Sequence, residues 1–265
     1  MNATALRPVG DLLREWRQRR RLSQLDFAVE AEISSKHLSF LETGRSRPSR
    51  EMLLKLSELL EVPLRERNTL LIAAGFAPMF SERKLDDPSL QAARDAMELV
   101  LKGHEPFPAI AVDRHWTLLA ANRAVAPMLT GIKPELLATP MNVLRASLHP
   151  DGLAPRIVNL AQWRAHIFAR LRRQIEVSAD PVLTALVEEL SAYPAPEPHS
   201  HRAHNESTNA FVVPMRLATP MGVLSFISTT TVFGTPIDVT LSELALESFF
   251  PADAATAAAL RQMPL

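Results

Sequence analysis

The chain of 265 residues contains no cysteine, one tyrosine and only 8 glycines. Without cysteine it can form neither disulfides nor a thiolate zinc site, which fits a reducing cytoplasm. No glycine-rich phosphate loop and no Gly-x-Ser-x-Gly elbow occurs. No apolar run approaches the roughly 18 residues of a membrane span, and the N-terminus lacks a signal peptide's apolar core. We therefore predict a soluble cytoplasmic protein with no membrane partner.

Formal charge is balanced over the whole chain, with 29 basic and 29 acidic residues, but it is distributed unevenly. Residues 1–76 contain 13 Lys and Arg against 10 Asp and Glu, whereas residues 77–265 contain 16 against 19. Because contact with a nucleic-acid backbone requires a local basic excess, the first segment is the candidate for DNA binding. The length predicts one or two domains, and a hydrophobic content of 47% predicts a substantial core.

Residues 22–48 have the pattern of two short helices joined by a tight corner. Ser23 and Ser34 are suited to N-cap positions, and apolar residues recur at helical spacing after each of them. Gly44 provides a helix stop, and Pro48 prevents continuation. The outer side of the second helix carries short polar or basic groups that suit base edges and phosphates: Ser35, Lys36, His37 and Ser39. The pattern predicts a helix-turn-helix that enters a DNA groove.

The segment SQLDFAVEAEISSKHLSFLETGRSRPSREMLLKLSELL resembles the helix-turn-helix of the Xre/Cro repressor family. The resemblance implies that Gln24 holds a phosphate, that early residues of the next helix read bases, and that the loop after it contacts the backbone. The residues assigned to DNA are Gln24, Ser34, Ser35, Lys36, His37, Ser39, Phe40, Arg45, Ser46 and Arg47. Phe40 could make only apolar contact, for example with a thymine methyl. The resemblance also implies an ion pair between Arg17 and Glu42.

Glu32 departs from this family pattern. The family has glycine at the inter-helix turn, where φ is positive, and a residue with a Cβ costs on the order of 1 kcal/mol there. The flanking matches preserve the helix-turn-helix assignment, while the turn itself could be slightly recast.

Beyond the first segment the hydrophobic period changes, which predicts a two-domain α+β protein. We predict a five-helix domain over 1–76, a linker and connecting helix over 77–105, and an α+β domain over 106–265. The second domain is predicted to contain strands at 107–112 and 116–121, helices at 157–174 and 181–192, and a hairpin from 210–218 and 222–232. The segment 241–250 could be a strand or a helix, and we favour a strand.

The segment FPAIAVDRHWTLLAANRAV resembles the opening of a PAS domain. Together with LETGRSRP, LHPDGL and STTTVFGTPIDVTLSELALESFFPAD, it makes the chain similar to the MmyB-like bacterial transcription regulators almost end to end. That resemblance implies an Xre-type DNA-binding domain followed by a PAS-like domain with inserted helices. The second domain would hold a small apolar ligand, such as a fatty acid, and no cofactor would be required.

Four residues are candidates for the wall of a ligand pocket: Asn122, His149, Trp163 and Phe168. Each also has a structural interpretation, Asn122 as a helix cap, His149 within an Asp-Gly turn, and the aromatic residues as core. A carboxylate head group could be held by one of three arginines, Arg145, Arg156 and Arg164, and the sequence does not choose among them.

His199, His201 and His204 form the one metal-like cluster, but they lie in a proline-rich polar stretch without carboxylate ligands, so we predict no metal site. The leading hypothesis is a ligand-controlled transcriptional regulator that binds a double-stranded DNA operator. It would act as a homodimer, because one recognition helix reads only a few base pairs. The alternatives are a constitutive repressor whose second domain only dimerises, and an enzyme fused to a helix-turn-helix domain. We predict that the protein is not an enzyme.

Overall fold

The computed structural model describes residues 7–194, 213–233 and 238–263. The chain divides into two compact units. Among the described residues, the first contains 7–83 with the short segments 176–179 and 238–242, and the second contains 84–175, 180–194, 213–233 and 243–263. Each unit has its own apolar core.

The first unit is built on five short helices, as predicted. Their bounds are α1 Val9–Arg19, α2 Gln24–Glu30, α3 Ser35–Glu42, α4 Arg50–Leu59 and α5 Leu64–Ala73. Ser23, Ser34 and Ser49 each accept a 3.1 Å hydrogen bond from the backbone N–H three residues further on. These caps satisfy N–H groups that the first turn of a helix leaves without partners, so they fix where α2, α3 and α4 begin.

The corner between α2 and α3 keeps a left-handed residue although that residue is Glu32. Its φ is +56°, and the backbone N–H of the next residue, Ile33, donates to the carbonyl of Ala28 at 2.9 Å. The Glu32 side chain points to solvent, where its carboxylate lies 3.0 Å from Lys55 Nζ. The turn is therefore not recast, and the chain retains the steric cost of a Cβ in this conformation.

The second unit is built on a five-stranded antiparallel sheet with the strand order β2-β1-β5-β4-β3. The strands are β1 Ala109–Val112, β2 Leu118–Ala121, β3 Met215–Thr219, β4 Gly222–Val232 and β5 Ala245–Pro251. The sheet confirms the α+β class. It also confirms a strand in the last apolar segment from Ala245 onward, whereas residues 241 and 242 belong to a short helix. The first strand of the hairpin begins at Met215, later than predicted, and residues 210–212 lie outside the described part of the chain.

The remaining helices lie before β1, in the long connection between β2 and β3, between β4 and β5, and after β5, and the short helix between β4 and β5 belongs to the first unit. They are α6 Gln91–Gly103, α7 Pro134–Leu137, α8 Val143–Leu148, α9 Leu160–Ser178, α10 Pro181–Ala192, α11 Val239–Ser242 and α12 Ala254–Gln262. Short 3-10 turns cover Pro88–Leu90, Arg123–Leu129 and Ala154–Arg156. This arrangement agrees with the PAS-like domain with inserted helices that the resemblance implied.

The long helix that the sequence predicts from Ile157 begins at Leu160. Ile157 instead forms an isolated bridge with Leu217 of β3, and the Asn159 side chain accepts from the N–H of Arg216 at 3.0 Å. Ile157 was predicted as the first residue of the helix, but it pairs with a strand edge. Hydrogen bonds to β3 therefore delay the start of α9 by one turn.

The sheet is covered on both faces near β1, whose four residues are all buried. On one face Ala109 and Ala111 pack with Met97 and Leu101 of α6. On the other face Ile110 and its neighbours join the larger core that includes α9 and α10. The helix predicted as a connector is thus part of the second domain's packing.

We expect the change Glu32→Gly to raise the free energy of unfolding of the first domain by about 0.5–1 kcal/mol. Glycine removes the steric cost at positive φ, and its larger unfolded-state entropy offsets part of the gain. Urea unfolding followed by circular dichroism measures the difference. The control is Glu30→Gly, which places glycine at helical φ in α2 and should destabilise the domain. A Glu32→Gly chain less stable than the parent would contradict the expectation.

Candidate DNA-binding helix and ligand cavity

The predicted ion pair between Arg17 and Glu42 is confirmed, and it is buried. Arg17 Nε and Nη2 donate to the two carboxylate oxygens of Glu42 at 2.6 and 2.9 Å, and Arg17 Nη1 donates to the carbonyl of Leu22 at 2.7 Å. Arg17 is 7% exposed and Glu42 is 4% exposed. The hydrogen bonds that Arg17 donates to Glu42 raise the pKa of Arg17. The pair fixes the end of α3 against α1.

Gln24, the predicted phosphate ligand, is tied to the same carboxylate. Its Nε2 donates to Glu42 Oε2 at 2.8 Å. One carboxylate thus joins α1, α2 and α3. This contact holds the amide of Gln24 at the N-terminus of α2, the end of a helix that attracts anions. Its contact with a DNA phosphate remains a prediction.

The third helix has one face in the core and the other toward solvent. Leu38 and Leu41 are fully buried. Ser35 and Lys36 are exposed, whereas the other residues assigned to DNA on this helix, His37, Ser39 and Phe40, are half-buried. Ser34 is exposed, and its hydroxyl is used as the helix cap. This is the amphipathic arrangement that the sequence predicted for a helix able to enter a major groove.

Two cations flank the ring of Phe40. Lys36 Nζ lies 5.7 Å and Arg45 Cζ lies 5.8 Å from the ring centroid, within cation–π range. The sequence prediction gave Phe40 only an apolar contact with DNA, and the structure adds a role in positioning both cations. The i, i+4 spacing of Lys36 and Phe40 was a signal for one of these contacts.

The loop after α3 is anchored by its backbone. The N–H of Ser46 donates to the carbonyl of Phe40 at 3.1 Å, and Pro48 is buried. Arg45 and Arg47 on either side of Ser46 are exposed, and neither forms an ion pair with another residue in the described ranges. The loop therefore presents two guanidinium groups beside the exposed face of α3.

The second unit contains a cavity of about 120 Å³ on the side of the sheet that faces α8 and α9. Its wall is predominantly apolar and includes Ile110, Leu118, Met128, Ile167, Met215 and Phe226. A single water needs roughly 10–15 Å³ on a comparable measure, so the space is many times larger than one water site. Apolar cavities with a few placed polar groups are typical of small-molecule sites.

An ion pair between the half-buried Arg170 and the buried Glu247 forms part of the cavity wall. Arg170 Nη1 donates to Glu247 Oε2 at 2.9 Å, and Arg170 Nη2 donates to Glu247 Oε1. The Thr230 hydroxyl accepts from Arg170 Nη2 at 2.6 Å and donates to Glu247 Oε1 at 2.9 Å. Arg170 also lies over the Trp116 ring, 4.5 Å from its centroid. Because Glu247 is only 1% exposed, Arg170 is the counterion that offsets the cost of burying its carboxylate.

His166 and Trp163 complete the α9 face of the cavity. The two rings stack with centroids 5.4 Å apart, and Trp163 Nε1 donates to Ser147 Oγ at 3.1 Å. Burial, followed by the positive charge of Arg170, lowers the pKa of His166, so the neutral imidazole is favoured. Trp163, His166 and Arg170 are spaced i, i+3 and i+7, the spacing of one helix face. That spacing was the sequence signal that could have identified His166 and Arg170.

Of the four predicted pocket residues, only Trp163 lies on the cavity wall. Both roles predicted for Asn122 are wrong, because its side chain neither lines the cavity nor caps a helix. Its Oδ1 accepts from the N–H of Ala109 at 3.1 Å, and its Nδ2 donates to the carbonyls of Leu101 and Phe107 at 3.1 and 2.8 Å. It ties the end of α6 to the start of β1.

His149 and Phe168 are likewise not among the residues that line the cavity. His149 Nδ1 accepts from the N–H of Asp151 at 3.0 Å, and its ring meets the Tyr193 ring edge-on at 4.9 Å. Phe168 lies beneath the guanidinium of Arg164, whose Cζ is 5.2 Å from its ring centroid. The interpretation of His149 as a turn residue is confirmed. Phe168 lies on α9, but outside the face of this helix that lines the cavity.

The three arginines proposed for a head group bind other parts of the protein. Arg145 pairs with Glu189 through two hydrogen bonds of 2.7 Å. Arg156 donates to backbone carbonyls of Met128, Thr130 and Ala218, and Arg164 donates to those of Ser191 and Tyr193. None of the three lines the cavity. Arg170, which the sequence prediction did not include, is the arginine at that wall.

Two further features concern only the described residues. In these ranges no group of three or more His, Cys, Asp or Glu residues is placed to hold a metal ion. The His199, His201 and His204 cluster lies outside them. No helix among those described is long and apolar enough to cross a membrane.

The two units define a class of protein with an N-terminal helix-turn-helix and a C-terminal α+β domain that contains an apolar cavity. A family model for the MmyB-like transcription regulator ligand binding domain matches residues 93–263, and a helix-turn-helix domain model matches residues 8–70. Since the first match covers more than half of the chain, the protein belongs to the MmyB-like transcription regulator family.

A relative from Methanoculleus marisnigri is 34% identical over 116 residues. It is provisionally described as an HTH-type transcriptional regulatory protein. The match covers 42% of this chain and 37% of that protein, so the chain spans well under half of the relative's length.

We expect Arg17→Ala to lower the free energy of unfolding of the first domain by about 3–5 kcal/mol, because it leaves Glu42 buried without a cation. Replacing both partners by Met and Leu should cost less than the single change. The control, Arg19→Ala in the same helix, removes an exposed pair with Glu15 and should change stability by about 0.5 kcal/mol or less. Thermal unfolding measures all three. Parental melting of Arg17→Ala would show that the pair is dispensable.

Proposed function

We propose that the protein is a sequence-specific DNA-binding transcriptional regulator that reads its operator with α3. The observation that carries the proposal is the exposed face of this helix, where Lys36 and Arg45 flank the Phe40 ring on the side away from the buried leucines, and the exposed Arg47 follows in the loop. The polar side chains of α3 are suited to base edges, and the loop guanidinium groups are suited to phosphates. Membership of a transcription-regulator family supports the same conclusion.

The proposal extends to ligand control by a small apolar molecule in the second domain. A fully packed second domain would have favoured the constitutive repressor, and the cavity of about 120 Å³ favours the ligand-controlled form instead. A ligand that binds one arrangement of the domain better than another shifts the population toward it, which is how it would change operator affinity. The fatty-acyl class implied by the resemblance is compatible with the apolar wall.

We further propose that the active form is a homodimer on a two-fold symmetric operator. The eight residues of α3 reach only a few base pairs, and a dimer doubles the contacts and adds half-site spacing to the recognition.

Operator binding can be tested after selecting a binding site from random duplexes. Lys36→Ala should weaken binding to the selected site and relax the base preference, with a loss of about 1–3 kcal/mol. Arg47→Ala should weaken selected and unrelated duplexes alike and reduce the salt slope by about 1. Fluorescence anisotropy over a range of salt concentrations gives both quantities.

The matched control for that experiment is Lys55→Ala, which removes a lysine of α4 whose recorded partner is Glu32. It should leave the affinity and the salt slope at the parental values. Parental binding by both Lys36→Ala and Arg47→Ala would exclude this helix and loop from the interface.

Ligand occupancy and subunit number can be read from one native mass spectrum of the purified protein. We expect a dimer with one small apolar molecule per subunit, released on denaturing extraction. A monomer at concentrations that saturate the operator would contradict the dimer. A ligand-free chain that also binds no apolar probe would favour the constitutive repressor.

A further inference from the structure

The charges that face the cavity compensate each other. Among the residues of its wall that lie in the described ranges, only Arg170 and Glu247 carry a formal charge, and they are paired with each other. His166, the third titratable group at the wall, is favoured as the neutral ring because burial and Arg170 lower its pKa. An ionised ligand entering this space would therefore add a charge without a counterion, which an apolar wall disfavours strongly.

The guanidinium of Arg170 also lacks a free edge for a carboxylate. A carboxylate is held best by two parallel N–H groups on one edge of an arginine. Glu247 occupies the edge formed by Nη1 and Nη2, and Thr230 accepts from Nη2 on the side of Nε. Among the described residues Nε–H and one Nη1–H have no acceptor, and they lie on different edges. Arg170 can thus donate single hydrogen bonds, but it cannot form a second fork.

We propose that the cavity takes an apolar molecule whose polar end is uncharged, such as a hydroxyl, ester or amide, and that the Arg170–Glu247 pair excludes free carboxylates. The inference rests on the proposed ligand-binding role of the second domain. A neutral oxygen accepts a hydrogen bond from Arg170 without displacing Glu247. The neutral imidazole of His166 and the hydroxyl of Ser228, both at the wall, can each donate or accept a further bond.

Glu247 is the selective element in this arrangement. The carboxylate is 1% exposed, and it could release Arg170 to a second carboxylate only by losing its own counterion. Substitution by glutamine keeps the shape and the contact with Thr230 while removing the negative charge. Arg170 then becomes an uncompensated cation at the wall, which should favour anionic ligands.

The test compares matched probes on the full-length protein near neutral pH, where carboxylates are ionised. The probes are 1-octanol against octanoate, and benzyl alcohol against benzoate as a more compact pair. Two of the three tryptophans, Trp116 and Trp163, line the cavity, so intrinsic fluorescence reports binding. Trp16 is buried in the first unit and contributes a constant background.

The parent protein should bind the alcohol of at least one pair about tenfold or more tightly than its carboxylate. Glu247→Gln should tighten carboxylate binding about tenfold and change alcohol binding by no more than about threefold. The double change Arg170→Gln with Glu247→Gln should retain the alcohol and show no gain for the carboxylate. Circular dichroism checks that each variant is folded.

The matched control is Glu189→Gln, which breaks an arginine–glutamate pair with Arg145 that lies off the cavity wall. It should leave both affinities unchanged. If the parent binds carboxylates as tightly as alcohols, the proposed neutral end is wrong while a ligand-binding cavity remains. If no probe binds a folded protein that still binds its operator, the ligand half of the proposed function is overturned as well.

Discussion

A carboxylate that is shielded from water needs a cation, and this requirement organises the centre of each unit. In the first unit Glu42 is 4% exposed and receives two hydrogen bonds from Arg17 and one from Gln24. These contacts connect the three helices that must keep a fixed geometry if α3 is to enter a groove. The loss of stability when one partner of such a pair is removed is larger than the net stability that the intact pair contributes. The main effect of the arrangement is therefore to select one packing of the helices.

The same interaction has a different consequence in the second unit. Glu247 is as well buried as Glu42, but its partner Arg170 lies at the wall of a cavity and is partly accessible. The first pair is closed on all sides by protein, whereas the second leaves donors of Arg170 available to a guest molecule. An arginine–glutamate pair therefore fixes the packing of helices in the first domain, and a second such pair forms part of a candidate binding site in the other domain.

Local sequence patterns were sufficient to predict much of the fold. Interactions between residues close together in the chain determine the serine caps, the helix stop at Gly44 and the strand formed by the β-favouring residues 229–232. These features were therefore predicted correctly from the sequence. Flanking matches also located the turn at Glu32, but only the structure shows that the positive φ is retained there and that the turn is not recast. Arg17 and Glu42 are 25 residues apart, and only the family resemblance identified them as partners.

The cavity was less predictable, because its wall is assembled from distant segments. Arg170 and Glu247 are separated by 77 residues, and no local pattern marks them as partners. Residues chosen for their type, Asn122 and His149, turned out to hold backbone turns and connections that propensity alone does not reveal. The alternating pattern of β5 was informative in one respect. Glu247 lies between Leu246, which packs toward α6, and Ser248, so it must face the opposite side of the sheet, where α9 and the cavity lie. A charged residue at an inward position of a buried strand was therefore a sequence signal for a polar group on the inner side of the sheet, although no local pattern identified its partner.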